Sequence, residues 1–467
     1  MSNHQLFARH AWLEQGWQQD VLISWNEAGT ITAVAAGAVK PDGLPSVSWL
    51  LPGMPNLHSH AFQRVFAGLT EYRHHPTDSF WSWRQLMYAF AQHVTPAQLE
   101  VIATELYREM LAAGYTSVCE FHYVHHQPGG APYPDAMAMS AALVRAAKAT
   151  GIGLTLLPVL YQHSGFGQQP PEAHQQRFIH DKSAFLSLWD QLFVLCRNAG
   201  AKLGLAPHSL RAVSPEDLHA ILAHIFAVDA TAPVHIHVSE QQKEVDDCLA
   251  WSGKRPVQWL MDNFDVDARW CLIHATHMDA GEYQRAAASG AVVGLCPTTE
   301  ANLGDGVFDF QHWKLQRGSW GIGSDSHIAV NAAEELLQLE YSQRLLFQQR
   351  NICCDAEEPD VASYLYRHAL LGGAQASGRC IAGIAPRQQA DFVELDGNHP
   401  LLMAIPAEYV LSTHLFASSR QSAIKQVWTR GIVRDIAQTS AGSEVARIRQ
   451  KMIAAFEIGR ASCRERV

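Results

Sequence analysis

Short apolar runs alternate with amphipathic stretches along most of the chain. The apolar runs are rich in β-branched residues, which is typical of buried strands. They cover residues 48–57, 116–121, 154–160, 203–207, 233–238, 270–275, 291–296 and 321–324. The stretches with helical spacing cover residues 96–113, 135–149, 182–198, 215–228, 256–263, 280–289 and 332–349. This repeated alternation of strand and helix predicts an α/β fold, a (β/α)8 TIM-type barrel.

The two ends of the chain have a different pattern. Residues 20–25 and 30–35 predict strands, and Asn26-Glu27-Ala28-Gly29 between them is a hairpin signal. Residues 390–395 and 425–433 also predict strands. We therefore expect the two ends to pair into one small β-sandwich domain.

These patterns divide the chain into three parts. The small β domain is predicted at residues 1–50 and 385–440, and the barrel at 51–384. Residues 441–467 predict a C-terminal helix followed by a disordered or artefactual tail, because the arginine-rich end, 459–467, differs in composition from the rest.

Composition narrows the classes of partner. The 467 residues carry a formal net charge of −10, so neither nucleic acid nor an anionic membrane is an expected partner. An anionic substrate would need a local cluster of Arg or Lys. The sequence shows no signal-peptide pattern and no apolar run of about 18 residues. Nine cysteines without C-x-x-C spacing favour reduced thiols, and we expect a cytoplasmic protein.

Histidines cluster at the ends of the predicted strands, where a barrel places its active site. The first run ends in Leu57-His58-Ser59-His60, and residues two apart on a strand share a face. The fifth ends in His235-Ile236-His237, the sixth in Ile273-His274, and Asp325 follows the eighth. Unrelated core histidines would not be expected to cluster in this way.

The predicted metal ligands are His58, His60, His237 and Asp325, which offer three nitrogens and one carboxylate. Catalytic zinc prefers such donors, and it lowers the pKa of bound water toward ~7. The predicted catalytic residues are Asp325, which accepts the proton of the water, His274, which polarises the electrophile or shuttles a proton, and Glu240, which protonates a leaving nitrogen.

Other residues near these strand ends leave alternatives open. His235 could replace or join His237, although His237 lies nearer the strand end. His277 and His327 are expected to have supporting or structural roles. The fourth strand ends without a lysine that could bridge two metals, because Lys202 lies at its beginning. We therefore predict one Zn²⁺, while Fe²⁺ or Mn²⁺ would also suit these donors.

Several motifs resemble the amidohydrolase superfamily. These are Pro52-Gly53-Met54-Pro55-Asn56-Leu57-His58-Ser59-His60, His237-Val238-Ser239-Glu240, His274 and Gly323-Ser324-Asp325-Ser326. They are similar to the mononuclear aminohydrolase branch, over about residues 1–435. The resemblance implies the same four metal ligands, with Glu240 and His274 as acid–base groups.

More specific stretches resemble the formimidoylglutamate deiminases of histidine degradation. They are His58-Ser59-His60-Ala61-Phe62-Gln63-Arg64, Ser79-Phe80-Trp81-Ser82-Trp83-Arg84, Glu120-Phe121-His122-Tyr123 and Ala206-Pro207-His208-Ser209-Leu210-Arg211. The resemblance implies zinc-dependent hydrolysis of N-formimino-L-glutamate to N-formyl-L-glutamate and ammonia. It also implies that Gln63, Arg84, Tyr123, His208 and Arg211 bind the substrate.

The chemistry of a dianionic substrate agrees with two arginines at the barrel mouth, since guanidinium binds carboxylate in bidentate geometry. Arg84 and Arg211 could each hold one carboxylate. Arg64 is a competing candidate, and Arg211 could instead cap a helix or pair with Glu216 or Asp217. The aromatic residues near Arg84 predict that the segment 70–92 covers the pocket.

Two rival functions remain open. One keeps the metal mechanism and deaminates a heterocyclic amine such as guanine or an adenosine derivative, for which two arginines would have little use. The other is a non-catalytic assembly protein, which would be expected to lose metal ligands, whereas every predicted ligand position is filled here. Because large barrels often pair through exposed helices, we also expect a homodimer.

Overall fold

The computed structural model describes residues 4–72, 78–418, 421–437 and 441–464. In chain order its strands are β1 (His4–Leu13), β2 (Gly16–Trp25), β3 (Ile31–Ala35), β4 (Ser46–Pro52), β5 (Met54–Ser59), β6 (Tyr115–His122), β7 (Gly153–Leu160), β8 (Lys202–Leu203), β9 (Ala206–Pro207), β10 (Val234–Val238), β11 (Trp270–His274), β12 (Val292–Leu295), β13 (Ser319–Ile322), β14 (Phe392–Leu395), β15 (Ile424–Thr429) and β16 (Ile432–Arg434).

The helices of the described residues follow most of the predicted amphipathic stretches. In chain order they are α1 (Phe80–Ala91), α2 (Pro96–Ala112), α3 (Ala138–Thr150), α4 (Lys182–Ala199), α5 (Pro215–Val228), α6 (Gln242–Ser252), α7 (Pro256–Asn263), α8 (Ala280–Ser289), α9 (Pro297–Leu303), α10 (Phe310–Leu315), α11 (Ala332–Phe347), α12 (Val361–Ser377), α13 (Ala407–Phe416) and α14 (Ala441–Arg464). Short 3₁₀ helices cover Ala61–Phe66 and Ala173–Gln175. None of these helices is long and apolar enough to cross a membrane.

Local capping explains where several helices begin. The side chains of Thr95, Ser214 and Asp279 each accept a hydrogen bond from the backbone N–H three residues later. A proline follows Thr95 and Ser214 at the first helical position, where its missing N–H costs nothing. The sequence predicts these helix starts correctly.

Eight strand positions, β5 to β13 with β8 and β9 as one interrupted strand, form two parallel sheets. One has the order β5-β6-β7-β8, with β9 also pairing with β7, and the other has the order β10-β11-β12-β13. Isolated parallel bridges link both pairs of edges: Ser59 pairs with Asp325, Leu205 with Val234, and Ser209 with His237. The carboxyl ends of these strands therefore meet around one site.

The strands near the chain ends form a single seven-stranded mixed sheet of order β16-β15-β14-β4-β1-β2-β3. The prediction that the two ends pair is confirmed, because β14 runs antiparallel to β4. The ladders do not show two packed layers among the described residues, as a β-sandwich would require. A small apolar cluster that includes Leu6, Ile23 and Trp428 covers this sheet.

Three predicted elements differ from the observed ones. The run 48–57 is two strands, β4 of the terminal sheet and β5 of the parallel sheet, separated by Gly53. A Cβ at Gly53 would lie 2.1 Å from the Thr116 side chain, so the crossing requires glycine. The run 425–433 is a hairpin that turns at Arg430-Gly431, both with positive φ. Helix α14 continues to Arg464, into the predicted tail, and residues 465–467 lie outside the described residues.

Candidate metal centre and substrate pocket

Four side chains from three strand ends converge on one buried point. His58 lies on β5 and His60 directly after it, His237 lies on β10, and Asp325 follows β13. Oδ1 of Asp325 is 3.3 Å from Nε2 of both His58 and His60. Nε2 of His237 is 3.0 Å from Nε2 of His58. All four side chains are buried. The structure thus brings together the four predicted ligands.

In two of these rings, His60 and His237, Nδ1 forms a hydrogen bond with a backbone carbonyl oxygen. Nδ1 of His60 lies 2.8 Å from the carbonyl oxygen of Phe121, and Nδ1 of His237 lies 3.1 Å from that of His208. A carbonyl can only accept, so Nδ1 carries the hydrogen in both rings and Nε2 presents its lone pair to the centre. Ring tautomers are thereby set for metal binding.

The separations within two overlapping sets of donor atoms suit a shared ion: His58 groups with His60 and Asp325, and also with His237 and His274. Ligands that share a zinc at ~2.0–2.2 Å lie roughly 2.9–3.5 Å apart. The observed separations of 3.0 and 3.3 Å fall in that range. Nε2 of His237 faces Nε2 of His58 at 3.0 Å, a separation that two ligands of one ion would have. The donor set therefore fits a metal ion of the kind that binds nitrogen and oxygen.

The protonation states also suit a cation. Burial lowers the pKa of His58 to about 3 and outweighs the opposing effect of Asp325, so this ring is neutral at neutral pH. Burial likewise lowers the pKa of His60 and of His237. Burial alone would raise the pKa of Asp325, but its hydrogen bond with His58 and the nearby imidazoles bring it below the ordinary value. Neutral imidazoles and an ionised carboxylate are the forms that bind metal.

Left-handed backbone occurs at three of the residues that follow or end these strands. His274 has φ of 67°, Asp325 of 45° and Ser239 of 52°, although none is glycine. Left-handed backbone at such residues costs about 1–3 kcal/mol each and persists where the surroundings impose it. The positive φ changes the direction of the backbone where it leaves the strand. The side chains of Asp325 and His274 thereby lie beside the predicted metal ligands.

Two further acid–base groups border the metal cluster. Nε2 of His274 lies 3.7 Å from Oε1 of Glu240 and 3.9 Å from Oδ2 of Asp325. Burial raises the pKa of Glu240 to about 7. Burial would lower the pKa of His274, but Glu240, Glu300 and Asp325 raise it to about 10. Near neutral pH, Glu240 can exchange a proton while His274 remains a donor.

Sequence reasoning missed two carboxylates in this group. Oε1 of Glu300 accepts hydrogen bonds from Nδ1 of His274 (3.2 Å) and from the backbone N–H of Cys296 (2.8 Å). Burial, followed by the charge of Glu240, raises the pKa of Asp305 to about 9, and this side chain lies beside Glu240 and His274. Both residues follow β12 by several positions. A search limited to the residues that end each strand could not find them.

A cavity opens beside the cluster. Its lining includes all five residues predicted to bind substrate: Gln63, Arg84, Tyr123, His208 and Arg211. The predicted segment 70–92 contributes through α1, which supplies Phe80, Trp83, Arg84, Met87 and Tyr88. Residues 73–77 of that segment lie outside the described residues. The metal cluster and the predicted substrate residues thus share one cavity.

The polar side chains of the cavity are held in defined positions. Nε2 of Gln63 donates to the Tyr123 hydroxyl at 2.9 Å. The Arg84 guanidinium donates to the Tyr88 hydroxyl at 2.5 Å and to the Tyr161 hydroxyl at 3.3 Å. Nδ1 of His208 lies 3.2 Å from the Ser209 hydroxyl. The Oε1 atom of Gln63 has no hydrogen-bond partner among the described residues, so it can accept one from a ligand.

Arg211 is buried and has unused hydrogen-bonding capacity. Its Nη1 atom has no hydrogen-bond partner among the described residues, and the Glu244 carboxylate lies 3.7 Å away. The alternative pairing of Arg211 with Glu216 or Asp217 is wrong. Asp217 instead pairs with Lys182 at 2.9 Å, and Glu216 accepts from Ser214.

The contacts of Arg64 and of three further histidines distinguish them from the predicted site residues. The Arg64 guanidinium is bound to Glu109 and to the carbonyl of His327, each at 2.7 Å, and it does not line the cavity. His235 contacts the carbonyl of Ala376, at 2.8 Å, and His277 that of Asp305, also at 2.8 Å. His327 lies between Ser59 and Ser324 at 3.1 and 3.0 Å. These three rings contact protein groups other than the four predicted ligands.

Comparisons with known proteins show the family to which the chain belongs. Residues 49–433 match the model of the amidohydrolase family. The chain is 50% identical over 432 residues to the formimidoylglutamate deiminase of Pseudomonas aeruginosa, covering 92% of this chain and 94% of that one. It is similar to the crystal structure of an amidohydrolase from Brucella melitensis, with a TM-score of 0.89, 44% identity and coverage of 97% and 99%.

A more distant match concerns the fold alone. The crystal structure of an adenosine deaminase from Xanthomonas campestris with bound zinc has a TM-score of 0.78 at 21% identity. The alignment covers 96% of this chain and 98% of that one. An α/β architecture of this kind therefore extends over nearly the whole chain.

Proposed function

The chain belongs to the amidohydrolase family, and we propose that it hydrolyses N-formimino-L-glutamate to N-formyl-L-glutamate and ammonia. In this reaction water adds to the formimino carbon, the carbon–nitrogen bond to the terminal nitrogen breaks, and that nitrogen leaves as ammonia. The relative that is 50% identical over most of both chains carries the name of this activity.

One observation in the cavity carries the choice of substrate. Arg84 is held by phenol hydroxyls and not by carboxylates, and Nη1 of Arg211 has no hydrogen-bond partner among the described residues. Two buried or half-buried guanidinium groups in one cavity favour a ligand with two carboxylates. A neutral purine would leave Arg84 without a carboxylate partner and Arg211 with Glu244 alone, at 3.7 Å, which is unfavourable in a buried site.

We assign the metal to His58, His60, His237 and Asp325, with one ion per chain and zinc as the ion. Three imidazoles and one carboxylate suit zinc, and iron or manganese would also be accepted. When bound, the ion acts as a Lewis acid and lowers the pKa of a coordinated water toward ~7. Asp325 is the neighbouring carboxylate that accepts the proton of the attacking water.

Glu240 donates a proton to the leaving nitrogen, and His274 donates a hydrogen bond to the attacking oxygen. A carboxyl group with a pKa near 7 can donate a proton to the departing nitrogen and take it up again from water, and burial gives Glu240 such a pKa. His274, held by Glu300 through Nδ1, directs its Nε2 hydrogen toward the oxygen that adds to the formimino carbon. Gln63, Tyr123 and His208 line the same cavity and orient the formimino group and the glutamate backbone.

The bridges between strand ends also indicate how the two parallel sheets are arranged. We propose that the two parallel sheets close into one (β/α)8 barrel, supported by the bridges Ser59–Asp325 and Leu205–Val234 at the two seams. We assign residues 51–384 to this barrel and residues 1–50 and 385–440 to the smaller β domain, except that Leu51 and Pro52 belong to β4 of the terminal sheet. The Ser59–Asp325 bridge joins the strand end of two ligands to a third, so closure and metal binding support each other.

The test is ammonia release from N-formimino-L-glutamate by purified, zinc-loaded protein, compared with guanine and adenosine at equal concentration. The proposal predicts release from the formimino compound at least a hundredfold faster than from either purine. Turnover of a purine without turnover of N-formimino-L-glutamate would reject the substrate and keep the mechanism. No hydrolysis of any of them would reject both.

A further inference from the structure

Three cationic side chains from separate parts of the chain surround the ring of Trp81, which begins the first turn of α1 with Phe80. The guanidinium carbon of Arg84 lies 5.5 Å from the Trp81 ring centroid, and that of Arg211 lies 5.9 Å away. Nζ of Lys243, on α6, lies 5.8 Å from it. Each distance is within the range in which a cation is attracted by the face of an indole ring.

This cation cluster, which consists of Arg84, Arg211 and Lys243, opposes the overall charge of the protein, −10. The three cations share one ring, so they repel one another across the small space around it. Carboxylates offset only part of this charge. Lys243 binds Asp247 at 2.7 Å, and Arg211 lies 3.7 Å from Glu244. Arg84 is held by two phenol hydroxyls, which carry no charge.

The Trp81 ring attracts cations without neutralising them. A carboxylate in its place would also hold the arginines, but it would cancel charge that the ligand needs. An indole face contributes a smaller attraction and leaves the full positive charge available. Trp81 is half-buried and packs edge-on against Phe80, with ring centroids 5.2 Å apart, which fixes its orientation.

We propose that Trp81 is a positioning residue that holds Arg84 and Arg211 together, so that the cavity selects ligands with two carboxylates over ligands with one. Lys243 is the third member, at the exposed edge of the cluster, where it draws dianions toward the cavity. This inference deepens the proposed function, since it gives the reason why the substrate must be a dianion. Its test measures binding and does not depend on turnover.

The probes are glutarate, a five-carbon dianion, and glutaramate, its monoamide. Dissociation constants are measured by calorimetry on the zinc-loaded protein and on the variants W81L and W81F. We expect the native protein to prefer glutarate at least tenfold. W81L should reduce this preference to less than threefold, because leucine fills space without a π face. W81F keeps an aromatic face and should retain most of the preference.

A merely structural role for Trp81 predicts a different result. The affinities of both probes would then fall together in W81L and W81F, in parallel with the melting temperature, and their ratio would not change. An unchanged ratio in W81L, or equal binding of the two probes by the native protein, would overturn the proposal. Should W81L fail to fold, W81M takes its place, because methionine also lacks a π face; it should reduce the preference to less than threefold, and an unchanged ratio in W81M would overturn the proposal.

The chain offers a matched control for Lys243. Lys243 and Lys254 each bind one aspartate at 2.7 Å, and both are about half exposed, but Lys243 also lies against Trp81. K243M should weaken glutarate binding about threefold at low salt and less at high salt, whereas K254M should leave it unchanged. Equal effects of the two variants would remove Lys243 from the cluster. Absence of ammonia release, by contrast, would reject the proposed reaction and leave these binding results standing.

Discussion

Replacing Arg211 with methionine tests the substrate assignment because the change removes charge and retains much of the apolar stem. A charge-assisted pair with a carboxylate contributes about 1.5–3 kcal/mol, which corresponds to roughly tenfold to 150-fold in affinity. The carboxylate is bound equally in the ground state and the transition state. We therefore expect R211M to raise KM for N-formimino-L-glutamate by that factor, with kcat reduced less than threefold.

The same change has a cost in stability that the structure also predicts. Glu244 is fully buried, and without Arg211 its carboxylate keeps, among the described residues, the hydrogen bond from the backbone N–H of Glu240, at 3.2 Å. Leaving a buried charge in this state costs on the order of 3 kcal/mol. The double variant R211M/E244Q should recover most of this loss in urea unfolding while its KM stays high.

Steady-state ammonia release, measured alongside urea unfolding, separates the two effects. R64M is the control, since the Arg64 guanidinium is bound to Glu109 and the His327 carbonyl, and its KM should change less than threefold. An R211M enzyme with native KM would refute the assignment of Arg211 to a carboxylate. A rise in KM equal for R64M and R211M would do the same.

Three further predictions address the metal, the acid and the pH dependence of stability. H237N should reduce bound zinc from one per chain to less than about 0.1 by elemental analysis; full retention would remove His237 from the ligand set. E240Q should lower kcat about 10²–10⁴-fold with zinc content unchanged, and a native kcat would exclude Glu240 as the acid. Burial, followed by the charge of His399, lowers the pKa of His414 to about 4. The unfolded chain therefore binds more protons between pH 4 and about 6.5, and the stability present above that window is lost as the pH falls. H414L should shrink the difference in unfolding free energy between pH 7 and pH 5 by about 2 kcal/mol in urea titrations, and an unchanged difference would contradict this.

The four predicted metal ligands could be found from the sequence because each lies at or just after the end of a strand. Alternation along a strand places His58 and His60 on one side, and the carboxyl ends of parallel strands meet at one place. Those two regularities suffice to bring His237 and Asp325 to the same point, where the structure has them 3.0 and 3.3 Å from His58. His235, two residues before His237, instead lies with its Nε2 2.8 Å from the carbonyl oxygen of Ala376.

The features that were missed depend on contacts between distant parts of the chain. The apolar run 48–57 reads as one strand because both halves are buried, and only pairing with different sheets reveals the break at Gly53. Glu300 lies on α9 and not at a strand end, although it contacts His274 at 3.2 Å. Glu244 reaches Arg211 from α6, while the acids nearest to Arg211 in sequence have other partners.

A crystal structure of the zinc-loaded protein with N-formyl-L-glutamate would test the central claim most directly. We predict one anomalous zinc peak between His58, His60, His237 and Asp325, with one ligand carboxylate on Arg84 and the other on Arg211. A zinc peak elsewhere, or carboxylates bound away from both arginines, would contradict the account.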